Sequence, residues 1–381
     1  MLEFFDYETL RIIWWVLLGV LLIGFAIMDG FDLGVGILLP FVAKTDEERR
    51  VVLNSVGAVW EGNQVWLILG AGAIFAAWPH VYAVSFSGFY FAMLLVLLAL
   101  ILRPVGFDYR SKVNNKTWRC VWDYCIFISG LVPSLVFGVA IGNVLQGVPF
   151  AFDDFMVIDN QIGFFGLFTP FTLLCGLVSV VMLTTHGACY LAIKTEGKIL
   201  QRTQKILKIF SLLTVVLFAL GGVLLQFIDG FQVKTFAGTL ADSNPLQKEV
   251  IRVAGGWFSN YTIYPWMLIA PALGFVGQFV ALIFARINHF GKAFIFSALS
   301  IFGIISTAGL TLFPFILPSS LNPNSSLIIW DASSSYFTLV VMLIAALIFV
   351  PIILIYTSWV FRVLRGKITA EDIKKDSKFF Y

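Results

Sequence analysis

Residues 336–361 read YFTLVVMLIAALIFVPIILIYTSWVF, with no Asp, Glu, Lys or Arg among them. A helix crossing the hydrocarbon core of a bilayer needs about 20 mostly apolar residues. This run meets that length. Its apolar residues do not alternate with polar ones, and only closed helices or barrels satisfy backbone polar groups in lipid. The run is therefore a membrane helix. The same reading applied towards the N-terminus predicts helices over 8–28, 54–77, 81–103, 121–144, 163–193, 203–227, 262–284 and 292–313. The fold class is an all-α integral membrane protein with about nine transmembrane helices.

Composition demands the same environment. Of 381 residues, 59% are hydrophobic and 12% charged, and the mean hydropathy is +0.92. A soluble domain cannot hide that much apolar surface. The N-terminus, MLEFFDYETLR, is acidic, unlike the basic start of a signal peptide, so the first helix is expected to be retained. Cys120, Cys125, Cys175 and Cys189 form no C-x-x-C pair and read as small buried hydrophobes. No basic domain with stacking aromatics points to nucleic acid.

Nine helices put the termini on opposite sides, and the positive-inside rule orients them. With the C-terminus cytoplasmic, that side collects three Lys and Arg in 44–50, five in 103–119, five in 194–208, two in 286–292 and six in 362–378. Arg11, Lys234, Lys248 and Arg252 are left for the periplasmic side, where the N-terminus lies. Twenty-one of 25 basic residues on one side is a partition that a wrong helix count would scramble. Trp14, Trp15, Trp78, Trp118, Trp122, Trp330 and Trp359 fall near span ends, as aromatic belts do. Trp60 and Trp66 lie deeper. The loop 145–162 carries Asp153, Asp154 and Asp159 with no basic residue. It divides the chain into two four-helix bundles plus one peripheral helix: 1–145, a connection over 146–162, 163–335, and 336–381 with the ninth helix and tail.

Ionisable groups at membrane depth are costly and invite a functional reading. Asp29 and Asp32 lie at the inner end of the first helix, three residues apart, where they oppose the helix dipole. Residues 34–41 are a Gly-rich extension of that helix, stopping at Pro40. Glu61 shares a polar stripe with Asn54, Ala58 and Gln64 if 54–77 is one helix. It would then lie about 10 Å inside Asn54 at 1.5 Å per residue, where a carboxyl suits a proton relay. The bland alternative is a structural carboxyl paired with an arginine. Arg103 closes the third helix at Pro104 and is placed to pair with a carboxylate of the first or second helix. His80 and His289 fall in turns. His186 alone is helical and reads as a hydrogen-bonded helix residue, since no set of opposed haem ligands is present. No P-loop, zinc motif or dinucleotide fingerprint occurs.

Several rare runs in one order give the chain a recognisable likeness. They are IGFA at 23–26, DGFDLGVG at 29–36, GNQVW at 62–66, FAAWP at 75–79, FSGFY at 86–90, RPVGFDYR at 103–110, GNVLQGVPF at 142–150, FPF at 313–315 and WDA at 330–332. The sequence resembles subunit II of the bacterial cytochrome bd ubiquinol oxidases over essentially its whole length. The resemblance implies a respiratory quinol:oxygen oxidoreductase of the cell inner membrane, in which this subunit is not catalytic alone. It implies a haem-bearing subunit I as partner, carrying two b-type haems and haem d, with none bound solely by this chain. It also allows small accessory subunits and a structural quinone of unassigned position. By motif position it implies a cytoplasmic proton inlet at Glu61, where many relatives carry Asp, with Lys112 and Tyr381 near its mouth. Asp29, Asp32, Asn63, Gln64, Arg103 and Asp108 are the supporting polar or ion-pair candidates. Without these motifs a proton-coupled secondary transporter would suit the helix count, although no inverted repeat with interrupted helices is evident. A purely structural oxidase subunit is the third reading.

Overall fold

The computed structural model describes residues 5–369, 371 and 373. Its long helices are α1 Tyr7–Val42, α2 Asp46–Gly57, α3 Trp60–Ala77, α4 Pro79–Gly88, α5 Tyr90–Tyr109 and α6 Lys116–Gln146. There follow α7 Pro170–Lys194, α8 Gly197–Leu225, the short α9 Ser259–Ile263, α10 Ile269–Arg286, α11 Phe290–Leu312 and α12 Tyr336–Val363. Polar caps fix their starts. The Asp6 carboxylate accepts from the Thr9 amide at 2.6 Å, and Thr45 and Glu48 form a reciprocal capping box on α2. Such caps satisfy amide donors that the helix itself leaves free.

Eight helices among the described residues are long and apolar enough to cross a membrane. The nine-span reading takes α3, 18 residues long and opening on the polar run Trp60–Gln64, as the remaining crossing. α1 is the axis of the molecule and packs on α3, α6, α7 and α11. α7, α8, α10 and α11 close into a ring, while α1, α3, α5 and α6 form a more open group in which α4 bridges α3 to α5. α12 lies at the periphery, with 6% of its most apolar 18 residues buried, against 78% for α7.

Lipid gives helices no hydrophobic reason to associate, so small residues that let backbones approach do that work. A Cβ on Gly187 of α7 would lie 2.6 Å from the Gly34 carbonyl carbon of α1. Only glycine at both positions permits this crossing. Gly274 and Gly303 play the same part between α10 and α11.

Three antiparallel hairpins cover one end: β1 Phe150–Phe152 with β2 Ile158–Asn160, β3 Gly230–Phe236 with β4 Lys248–Val253, and β5 Phe315–Leu317 with β6 Leu327–Ile328. The helical reading of the sequence did not include them. They share the end where α1 begins. Arg11, fully buried, donates to the carbonyls of Thr239 at 2.6 Å and Ala241 at 3.0 Å and to Ser333 Oγ at 2.7 Å. At the opposite end Arg202 caps α1 through the Val42 carbonyl at 2.8 Å, and Lys194 donates to the Leu364 carbonyl at 2.6 Å, just beyond α12. The start of α1 and the end of α12 are therefore on opposite sides.

Several expectations need correction. α1 does not end near Asp32 or stop at Pro40. It runs unbroken to Val42 with Pro40 inside it, held on both sides by α6 and α7. The second predicted helix is two helices, because Ala58 and Val59 interrupt it between α2 and α3. Tyr190 Oη of α7 takes the Ser55 carbonyl at 3.0 Å beside this break, using an acceptor that a continuing helix would need. The third is also divided, at Gly88–Phe89, where Asn160 and Ile162 of the neighbouring loop press on Gly88. It then passes through Pro104 to Tyr109. The fifth begins at Pro170, after a 3₁₀ turn at Phe164–Leu167. Trp14, Trp78 and Trp330 are interior side chains rather than belt residues; Trp14 Nε1 donates to the Leu339 carbonyl at 2.9 Å.

Candidate functional site

Continuity of α1 moves Asp29 and Asp32 from a helix end to its interior. Asp29 lies thirteen residues, about 20 Å, before the C-terminus of α1. The helix dipole acts only at the last turn, so it plays no part there. The charge is met by a side chain instead. Arg103 of α5 places Nη1 2.6 Å from Asp29 Oδ1 and Nη2 3.5 Å from Oδ2. Both side chains are buried. Arg103 also lies over the Trp60 ring at 5.9 Å, and Trp60 stacks on Phe107 at 5.6 Å with 9° between planes.

Asp32 is one helical turn onward, on the same face. Its Oδ2 accepts from Asn63 Nδ2 of α3 at 2.7 Å, while Oδ1 is enclosed with no hydrogen-bond partner. A small cavity lined by Asp32, Trp60, Arg103, Phe107 and Ser129 adjoins it. The cluster therefore holds two carboxylates and one guanidinium. Asp29 is fixed by its ion pair. Asp32 keeps an oxygen free to hold a proton or to bind water.

The four residues brought together are Asp29, Asp32, Asn63 and Arg103. The remaining sequence candidates stand apart. Glu61 sits in the first turn of α3, where a negative charge is favourable, but it is exposed and has no ion-pair partner among the described residues. Positions two apart on a helix face different ways, so Asn63 points inward and Glu61 outward. The stripe from Asn54 does not reach it. Asn54 is in α2, before the break, and its Nδ2 donates back to the Arg50 carbonyl at 2.7 Å. The 10 Å depth counted along one helix is lost with it. Gln64 is half-buried, and Asp108 and Lys112 are exposed. Tyr381 lies outside the described residues.

A second charged network closes the end of the molecule opposite the hairpins. Asp123 of α6 accepts from Arg110 Nε and from Arg49 Nη1, each at 2.6 Å. Arg110 Nη2 and Arg119 Nη1 each reach Asp46 at 2.9 Å. The sequence reading missed Asp123 and Asp46. Asp123 carried a signal, being a lone carboxylate at the start of an apolar helix.

His186 is fully buried, with Nδ1 3.1 Å from Ser297 Oγ and Nε2 3.0 Å from the Ile27 carbonyl. Its ring stacks on Phe294 at 4.3 Å. Both nitrogens are occupied by hydrogen bonds, as read from the sequence, and the ring offers no free nitrogen to a haem iron. These residues do not fit a haem site.

Comparison with known proteins agrees with the sequence likeness. The chain is 51% identical over 377 residues to cytochrome bd-I ubiquinol oxidase subunit 2 of Escherichia coli K12, covering 99% of this chain and all of that one. It is 29% identical over 365 residues to cytochrome bd ubiquinol oxidase subunit 2 of Bacillus subtilis, covering 96% and 98%. A chain from the structure of the bd oxidase from Geobacillus thermodenitrificans has the same fold, with a TM-score of 0.67 at 18% identity, covering 93% of this chain and 98% of that one. The family model for cytochrome bd terminal oxidase subunit II matches residues 10–364, and the chain belongs to that family.

Proposed function

We propose that this chain is subunit II of a membrane quinol oxidase that reduces oxygen to water, supporting a haem-bearing subunit I and forming part of the proton inlet. The observation that carries this reading is the full-length likeness to oxidase subunits. Two b-type haems and haem d belong to the partner, consistent with the occupied nitrogens of His186. Small accessory subunits and a structural quinone are compatible additions. The chain divides at the acidic connection 146–162 and again after 335, where the ninth helix begins. The hairpin end is periplasmic and the arginine-rich end cytoplasmic, in a bacterial inner membrane, because basic residues stay on the cytoplasmic side.

Oxygen reduction consumes protons within apolar surroundings. Groups that move them must lie within reach of one another or of bridging water. Glu61 stands on the outer surface of α3, where a partner subunit can cover it; the family likeness assigns Lys112 to the mouth, and Tyr381, assigned there too, lies outside the described residues. Asn63 holds the inward side of the same turn of α3 and donates to Asp32 of α1. Arg103 neutralises Asp29 and keeps this polar core intact. Purification from native membranes, with a haem spectrum and quinol-dependent oxygen uptake, tests the reading. A second subunit, haem and activity should travel with this chain. Isolation without haem or partner would overturn it in favour of the transporter.

A further inference from the structure

The break between α2 and α3 decides which residues of the polar run 60–64 face the interior. In one unbroken helix Asn54, Ala58 and Glu61 would share a face, being spaced four and three apart, and Asn54 is buried. Glu61 would then turn inward and Asn63 away from Asp32. The observed chain does the reverse. Asn63 is 2% exposed and donates to Asp32 at 2.7 Å, while Glu61 is exposed. The difference lies in one turn of backbone. A continuing helix would carry the Val59 amide to the Ser55 carbonyl. Here the Val59 amide donates to the Val56 carbonyl at 2.9 Å, and the regular ladder resumes where the Asn63 amide reaches the Val59 carbonyl at 3.1 Å. The Ser55 carbonyl is taken by Tyr190 Oη at 3.0 Å.

Tyr190 belongs to α7 and is 5% exposed. Phe31 of α1 stacks on its ring at 4.1 Å with 21° between planes, and Phe294 of α11 lies at 6.0 Å. Lys194 Nζ sits 5.9 Å from the ring centre. The phenol is thus held by α1, α7 and α11, and the backbone of α2 meets a donor whose place other helices fix. We propose that Tyr190 is a positioning residue for the proton inlet. By donating to the Ser55 carbonyl it separates α2 from α3 and sets the rotation of α3 that points Glu61 outward and Asn63 at Asp32. Its effect on activity rests on the proposed role of Glu61; its effect on the break does not. Without the hydroxyl the Ser55 carbonyl is buried with no donor, which is costly. The donor one helical turn onward is the Val59 amide. Accepting from it joins α2 to α3 and turns Glu61 inward.

The test uses Tyr190→Phe in the assembled oxidase, which keeps the ring and its stack and removes only the hydroxyl. Hydrogen exchange over residues 57–62, read by mass spectrometry, reports the break itself. The first-turn amides of α3 have no intrahelical acceptor. Joining the helices supplies one to each, so exchange there should slow. Loss of a hydroxyl that merely stabilised packing would make it faster. Quinol-dependent oxygen uptake should fall towards that of Glu61→Gln at unchanged haem content. In a chain already carrying Glu61→Gln, Tyr190→Phe should cost nothing further, since both act through the same carboxylate. Unchanged or faster exchange over 57–62 overturns the proposal, whatever the activity. Slower exchange with a loss of uptake that adds in full to that of Glu61→Gln overturns the link to Glu61. If Glu61→Gln is itself fully active, the inlet reading fails, and the exchange data still decide whether Tyr190 sets the break.

Discussion

Arg103 of α5 and Asp29 of α1 meet at 2.6 Å with side-chain exposures of 4% and 0%. Removing one partner of a buried pair leaves an uncompensated charge, at a cost of about 3–5 kcal/mol. Arg103→Leu should therefore lower the thermal stability of the assembled complex sharply. Asp29→Asn in the same chain should recover part of the loss. A melting profile of Arg103→Leu matching wild type would show that the pair contributes no stability.

Glu61→Gln keeps the size and most hydrogen bonding of the side chain but removes its proton. Steady-state oxygen uptake should fall by about tenfold or more if Glu61 handles protons, with haem content unchanged. Glu61→Asp should retain much more activity. Full activity in Glu61→Gln would remove this residue from any essential path, and loss of haem would assign it to the subunit interface.

His186→Ala removes hydrogen bonds to Ser297 and Ile27 and a stacked ring. The expected outcome is a less stable subunit with an unchanged haem spectrum per assembled complex. Selective loss of one haem band would refute the packing role.

Glu48 ties α2 to α8 through Arg202 at 2.7 Å. Burial alone would raise its pKa, but the Lys44 amide, Arg202 and the Thr45 amide together hold it below the usual range. A carboxylate with a depressed folded pKa adds stability above its unfolded value, near pH 4.3, and loses it as pH falls through the folded one. The stability gap between wild type and Glu48→Gln should be present at pH 7 and close below about pH 4. A gap that widened on acidification would contradict the direction of the shift.

Single cysteines introduced at Lys112 and Asp154 test orientation in intact cells. A membrane-impermeant reagent should label position 154 before lysis and position 112 only after it. The reverse pattern would invert the topology.

The likeness of the two buried aspartates to a helix end came from Gly34, Gly36 and Pro40, which are poor helix formers by themselves. Tertiary packing overrode them, since those glycines are where α6 and α7 approach α1. The break at Ala58–Val59 was hidden for the opposite reason. VGAVW carries one glycine, which a helix tolerates, and the interruption coincides with Tyr190 binding the Ser55 carbonyl from a helix over a hundred residues away.

Hydropathy was enough for the membrane class, and the ordered motif runs for the family. Those are properties of local runs, because lipid forces each span to satisfy its own backbone. Which carboxylate Arg103 meets, which way Glu61 faces, and how Arg49, Arg110 and Arg119 divide Asp46 and Asp123 were decided only in three dimensions. Each depends on helix rotation and on breaks set by contacts between distant segments, and a charge in low dielectric takes the partner that packing places within about 3 Å.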